Sequence, residues 1–232
     1  VSIALVDGDV LCYRIGFACQ HEDVSFAIQT LTTYLEDILF KTLQVGACEV
    51  FLTGKGNFRN EVAVTAPYKG NRKKAKPTHL PALRQHLGDL WAARVSEGEE
   101  ADDLIAIRAT ELGDSCVIVS VDKDFNQVAG WHYNFVKQNK YYVSEEEGLR
   151  FFYKQILMGD NIDNVVGIKG VGEKRAEKML AKSTTEQEMY AVCLAALGEE
   201  RTKENGQLLW LRRQINQVWC APLSTLPATS GG

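Results

Sequence analysis

Two short apolar runs, each ending at an aspartate, do most to limit what this chain can become. Residues 2–6 run into Asp7, and residues 116–121 (Cys-Val-Ile-Val-Ser-Val) into Asp122. Apolar runs with little alternation suit strands buried on both faces of a parallel sheet, which needs helices between its strands. Residues 26–43 supply one, with Ile28, Leu31, Leu35, Ile38, Leu39 and Leu43 at helical spacing. Residues 48–52 read as a second strand. Residues 55–77 form a polar, basic stretch containing Pro67 and Pro77, followed by a helix to about residue 90. A further helix is predicted over 101–112, and two or three short strands between 131 and 143. The pattern is helical from 146 to about 219, and the last dozen residues, rich in Ser, Thr, Pro and Gly, read as a loose tail. Strands alternating with helices predict an α/β fold, with a mostly parallel central sheet flanked by helices and a helical C-terminal part.

The 232 residues suit one α/β domain with a helical annex. No apolar run approaches the roughly 18 residues that a membrane span needs. The opening run is too short for a signal-peptide core and lacks a basic flank, so a cytoplasmic location, with no membrane partner, is expected. The six cysteines include no C-x-x-C pair and read as reduced thiols. The four histidines form no H-E-x-x-H arrangement, which argues against a zinc site.

The net charge of −4 looks wrong for a polyanionic partner until its distribution is considered. Nine acids fall in short clusters: Asp7 and Asp9; Glu100, Asp102 and Asp103; Asp122 and Asp124; Asp160 and Asp163. Without those nine negative charges, −4 becomes +5. Asp7 and Asp122 follow predicted buried strands, and ligands of open parallel sheets bind outside the strands' carboxyl ends. Glu100, Asp102 and Asp103 open a helix, where the dipole favours negative charge. The three-residue spacing of Asp160 and Asp163 puts both on one side of a helical turn. Singly, each cluster could be a surface turn, a helix cap or a solvated loop. Gathered together, carboxylates about 5 Å apart repel by roughly 3 kcal/mol per pair at an effective dielectric near 20. Cations would relieve that repulsion. Oxygen donors without His or Cys select magnesium or manganese, and two such ions can activate water against a phosphodiester.

Residues 67–76 hold five basic residues beside Tyr68, a composition suited to phosphate contact with base stacking by an exposed tyrosine. Residues 167–176 (Gly-Ile-Lys-Gly-Val-Gly-Glu-Lys-Arg-Ala) lack the Gly-Lys-Ser/Thr ending of a P-loop. A glycine turn entering a helix, flanked by Lys169, Lys174 and Arg175, suits a clamp on a nucleic-acid backbone, or a plain connection between two helices.

In this order, these segments resemble the structure-specific 5′-nuclease superfamily: flap endonucleases, the 5′-nuclease domain of bacterial DNA polymerase I, and phage 5′–3′ exonucleases. Residues 6–14 resemble its first strand and metal-binding Asp, and residues 68–72 the start of its helical arch. Residues 100–103 resemble its Glu-Ala-Asp-Asp helix start, and residues 120–124 its next acidic pair. Residues 158–176 resemble its last acidic pair and helix-two-turn-helix motif. The resemblance covers roughly residues 3–180 and is nearest to the phage branch, which would place the protein in a host-cell cytoplasm. In one departure, Thr53-Gly54 stands where the family usually has an Asp after the second strand.

The resemblance implies a PIN-like catalytic core over 1–157 with an arch at about 55–90. A helical DNA-binding part over 158–220 and a flexible tail over 221–232 would follow. It implies magnesium-dependent cleavage of DNA at or near a free 5′ end or 5′ flap, with an RNA/DNA hybrid as a further substrate, by a monomer. Asp7, Asp9, Glu100, Asp102, Asp103, Asp122, Asp124, Asp160 and Asp163 are the expected metal ligands, for two Mg2+ or Mn2+ ions. Lys69 and Arg72 would act on the reacting phosphate, and Tyr68, Lys73, Lys169, Gly170, Gly172, Lys174 and Arg175 would complete the DNA surface. Gly167, Gly170 and Gly172 would allow a potassium ion at the hairpin. Asp9, two residues from Asp7, would compensate for the missing Asp at 53–54. The alternatives are a PIN-like ribonuclease and a DNA-binding protein without catalysis.

Overall fold

The computed structural model describes residues 2–71 and 75–222. Its elements are β1 (Ile3–Asp7), α1 (Gly8–Ala18), α2 (Val24–Glu36), β2 (Ala47–Lys55), α3 (Arg59–Val62) and α4 (Leu80–Trp91). They continue with β3 (Arg94–Glu97), α5 (Ala101–Leu112), β4 (Cys116–Val119), β5 (Gly130–Asn134) and β6 (Asn139–Val143). Then come α6 (Glu145–Met158), β7 (Gly159–Asp160), β8 (Val165–Val166), α7 (Glu173–Leu180), α8 (Glu186–Leu197) and α9 (Glu199–Leu209). The predicted tail begins at 221, and residues 223–232 lie outside the described residues.

Two compact units divide the chain. The first comprises Val1–Phe58, Lys73–Gly148 and Leu211–Gln217; the second comprises Arg59–Arg72, Leu149–Trp210 and Val218–Gly232. This differs from the expected division at 157. The reason is the composition of the second core: α6 contributes Phe152, Tyr153, Ile156 and Leu157 to it, and Tyr68 joins them.

In the first unit, one sheet runs in the order β3-β2-β1-β4-β5-β6, parallel except for the β5–β6 hairpin. Successive residues of β1 serve opposite faces, as strand geometry requires. Ala4 and Val6 pack with α1, α2 and α4 through Leu11, Leu31 and Leu83, while Leu5 packs with α5 through Ile105 and Ala106. Each fully buried Leu or Ile contributes about 1.5–3 kcal/mol relative to exposure. The expected mostly parallel α/β sheet is thus present.

The edge strand β3 was not foreseen. Its apolar residue, Val95, faces solvent at 59% exposure while Ser96 is buried at 3%, so its pattern is inverted relative to an ordinary strand. Gly54 permits the approach of β3 to β2, since a Cβ there would lie 2.0 Å from the Ser96 carbonyl oxygen. The first unit is closed by Leu211–Gln217. Leu211 N–H donates to the Gln127 side chain at 3.1 Å, Arg212 N–H donates to Asp103 at 3.2 Å, and Arg213 donates to the Gln127 carbonyl at 2.8 Å.

In the second unit, Arg59 is buried at 1% exposure and its guanidinium donates to the carbonyls of Leu208 and Trp210, at 2.9 and 2.8 Å. The predicted continuous helical pattern from 146 to 219 is interrupted by the β7–β8 pair and ends at Leu209. Gly159, Asn164 and Gly170 have φ of 68°, 61° and 77°, left-handed backbone that breaks a right-handed helix.

Candidate active site

The strand order reverses between β1 and β4, the switch point at which open α/β sheets bind ligands. Asp7 ends β1 there and is 2% exposed. One of its oxygens caps α1 by accepting Val10 N–H at 3.1 Å. The other accepts the Ser120 hydroxyl at 2.8 Å. Val6 is in register with Val119 on the parallel neighbour β4, so Ser120 falls beside Asp7. Ser120 Oγ also accepts the backbone N–H of Asp122 at 3.1 Å. Asp122 then caps the short 3-10 turn Lys123–Gln127 by accepting Asp124 N–H at 2.9 Å. Ser120 thereby ties the Asp7 carboxylate to the Asp122 backbone at the ends of two parallel strands.

The start of α5 sorts its three acids. Glu100 is the N-cap residue and forms a capping box with Asp103. Asp103 is fully buried, accepting Glu100 N–H on one oxygen and Arg212 N–H on the other, both at 3.2 Å. Asp102 lies half-buried between them. Asp9 is likewise engaged: one oxygen accepts Thr53 N–H at 2.7 Å and the other pairs with the Arg84 guanidinium. Asp9 and Asp103, expected as metal ligands, serve the fold here: the Arg84 guanidinium neutralises Asp9, and Asp103 is fully buried against the backbone of Arg212. No acid fits at position 54, given the approach of Ser96.

Asp7, Glu100, Asp102, Asp122 and Asp124 remain as candidate ligands in this unit. Their donors are all oxygens, the chemistry of a hard divalent cation. Among the described residues no group of three His, Cys, Asp or Glu side chains converges tightly enough to hold an ion alone.

The second unit holds Asp160 and Asp163. They do not share a helical turn, as their spacing had predicted. Asp160 lies in β7, and one of its oxygens accepts the N–H groups of Ile162 and Asp163 at 2.7 and 3.2 Å, closing a tight turn. Asp163 accepts the Tyr68 hydroxyl at 2.9 Å and faces Lys69 Nζ at 3.8 Å. Tyr68, expected as an exposed stacking residue, is buried at 8% in the second core, with Lys69 Nζ 5.0 Å from its ring centroid. A polar hydroxyl with an acid to bond lets its ring turn inward. Lys69 has φ of 54° and its N–H donates to the Asp163 carbonyl at 2.8 Å, so its position is fixed through the backbone. The candidates Arg72 and Lys73 lie outside the described residues.

The glycine hairpin leads into α7 through Gly172, the N-cap residue. Lys169, Lys174 and Arg175 are exposed, and the Arg175 guanidinium donates to the Gly170 carbonyl at 2.8 Å. A cleft of about 370 Å³ is lined by Asn71, Asn161, Asn164 and the hairpin from Gly167 to Val171. Sequence reasoning missed Ser120, Thr53 and Arg84. Ser120 could be found only from the β1–β4 register, and Arg84 reads as an ordinary surface charge on α4.

The fold is that of the PIN-like 5′-nucleases. The family described as "5′-3′ exonuclease, N-terminal resolvase-like domain" matches residues 2–155. DNA polymerase I of Bacillus caldotenax is 32% identical over 94% of this chain, which spans 28% of that protein's length. The 5′-3′ exonuclease of Buchnera aphidicola subsp. Schizaphis graminum is 30% identical over 81% of this chain and 72% of its own length. The fold matches that of a T5 5′-exonuclease with bound zinc, at a TM-score of 0.66 and 20% identity, over 90% of this chain and 89% of that one. The chain belongs to the 5′-3′ exonuclease family. Among the described residues no helix is long and apolar enough to cross a membrane.

Proposed function

We propose that this chain is a metal-dependent 5′-nuclease that hydrolyses phosphodiester bonds of DNA from or near 5′ ends, as a 5′–3′ exonuclease, a flap endonuclease or both. The observation that carries this reading is the link from Asp7 through Ser120 to Asp122 at the switch point of the sheet. Two magnesium or manganese ions would be held in the first unit by Asp7, Glu100, Asp102, Asp122 and Asp124; bound there, they would acidify a water and offset phosphate charge. The resemblance also makes Asp160 and Asp163 of the second unit candidate metal ligands.

The remaining roles belong to the chain itself. Ser120 holds the Asp7 carboxylate in one orientation, and the Asp122 and Asp124 backbone is fixed by its own capping turn. Lys69 carries a fixed positive charge that can exchange Asp163 for a phosphate oxygen, with Arg72 as its partner in the same segment. Lys169, Lys174 and the hairpin amides would grip a duplex backbone without reading sequence. A potassium ion at the hairpin would share the Gly170 carbonyl with Arg175.

Relatives support the reading. They include the Buchnera 5′-3′ exonuclease and the flap endonuclease Xni of Shewanella woodyi, the latter 31% identical over 59% of this chain and 60% of its own length. A T5 D15 flap endonuclease has been seen with DNA and metal ions. The test is cleavage of a 5′-labelled flap substrate and of its unflapped duplex, with and without magnesium. Metal-dependent product is expected; binding without product at any metal concentration would overturn the proposal.

A further inference from the structure

Both oxygens of the Asp9 carboxylate are taken by protein groups. Thr53 N–H reaches one at 2.7 Å, and an Arg84 guanidinium nitrogen pairs with the other. A second guanidinium nitrogen donates to the Thr53 carbonyl at 2.5 Å. Thr53 Oγ1 accepts Ala101 N–H at 3.0 Å, where α5 begins. One guanidinium from α4 thereby joins α1, β2 and the first residue of α5. Its neighbours Leu83 and Leu87 fill the core, whereas the side chains of Arg84 and Asp9 keep 28% and 20% exposure.

A half-buried carboxylate in a unit that already gathers Asp7, Glu100, Asp102, Asp122 and Asp124 must be neutralised by the protein or by a cation from solvent. The Asp9 carboxylate and the Thr53 carbonyl form an oxygen pair of the kind a hard cation takes. Arg84 sits on both. Its planar fork suits two oxygens at once, and its charge does not titrate away.

We propose that Arg84 is a built-in cation of the acid site and a positioning residue for the reaction. It keeps a divalent ion from settling on Asp9 and Thr53, and through Thr53 it fixes the start of α5, from which Glu100 and Asp102 project. The inference rests on the acid cluster being a divalent-ion site, and the test reads the two ideas separately.

Mn2+ binding to the full chain without DNA would be counted by electron paramagnetic resonance for wild type, Arg84→Gln, Arg84→Lys and Arg84→Gln with Asp9→Asn. Glutamine can still donate to the Thr53 carbonyl but carries no charge. Arg84→Gln is expected to bind a further Mn2+ ion per chain, Asp9→Asn to remove that ion again, and Arg84→Lys, which keeps the charge, to bind no further ion. Flap cleavage at saturating magnesium should fall about tenfold in Arg84→Gln, as for other groups that orient ligands, and recover only in part in Arg84→Lys, whose ammonium supplies the charge without the two-pronged fork. An unchanged Mn2+ count in Arg84→Gln, or an extra ion that survives Asp9→Asn, would overturn the proposal. If Arg84→Gln does not fold, Arg84→Lys decides alone, since an added ion there contradicts a role for charge. A wild type that binds no Mn2+ overturns the metal reading of the cluster, while the difference between wild type and Arg84→Gln still reports on Arg84.

Discussion

The hydroxyl of Ser120 donates to a carboxylate oxygen of Asp7 at 2.8 Å, across the boundary between two parallel strands. Removing it should loosen Asp7 without unfolding the sheet. Ser120→Ala is expected to slow cleavage about tenfold or more, the usual cost of losing a group that orients a ligand. Stability should fall by only about 1 kcal/mol. Magnesium titration of initial rates, beside a urea melt, checks both; an unchanged rate would make the bond purely structural.

Asp122 and Asp124 allow a cleaner separation of binding from chemistry. Asparagine caps a helical turn about as well as aspartate, so Asp122→Asn with Asp124→Asn should keep the 3-10 turn. DNA binding measured by fluorescence anisotropy should persist while cleavage falls below detection. Unchanged turnover in the double variant would rule out a metal role for this pair.

Lys69 tests whether a basic residue acts on the transition state or only on affinity. Its left-handed backbone strains lysine and alanine alike, so Lys69→Ala isolates the ammonium group. Its loss should lower the single-turnover rate by at least about 100-fold, the scale for removing one charge-stabilising donor. The dissociation constant should move only slightly. A weakened complex with an unchanged rate would reduce Lys69 to a phosphate anchor.

Arg59 should matter to stability rather than to chemistry. Arg59→Met keeps most of the packing but strands the carbonyls of Leu208 and Trp210, at a cost of about 3 kcal/mol. Denaturant unfolding followed by tryptophan fluorescence measures it, and a loss below ~1 kcal/mol would show that water replaces the guanidinium without penalty.

His132 predicts an acid limit. Burial lowers its pKa from 6.5 to about 4, and its Nε2 lies 2.8 Å from the Val128 carbonyl, to which it donates. Between those values the unfolded chain binds a proton that the folded chain refuses, so stability falls as pH drops from about 6.5 towards 4. The full contribution is at most ~3 kcal/mol. Unfolding free energies from pH 7 to 4.5 should decline more steeply for wild type than for His132→Gln; parallel slopes would remove His132 as the cause.

Much of this was legible in the sequence because burial leaves a periodic trace. The runs before Asp7 and Asp122 mark β1 and β4, and the apolar face of residues 26–43 marks α2. What stayed hidden depended on pairing. β3 presents Val95 outward and Ser96 inward, so no hydrophobic pattern announces it. Spacing showed nine clustered acids but not their partners, and only the fold pairs Asp9 with Arg84 and buries Asp103 fully. The turn at Asp160 was misread because three-residue spacing serves a capping turn as well as a helix.

The closing segment Leu211–Gln217 has a consequence for how the protein is made. A ribosome delivers residues in order, and domains ordinarily fold as they emerge. Here Arg212 and Arg213, which fasten the start of α5 and the 3-10 turn, emerge after the whole stretch 149–210. The nascent chain therefore carries every candidate acid well before it carries the residues that hold Asp103 and Gln127 in place. The first unit reaches its final form only after residues 149–210, which belong to the second unit, have been made.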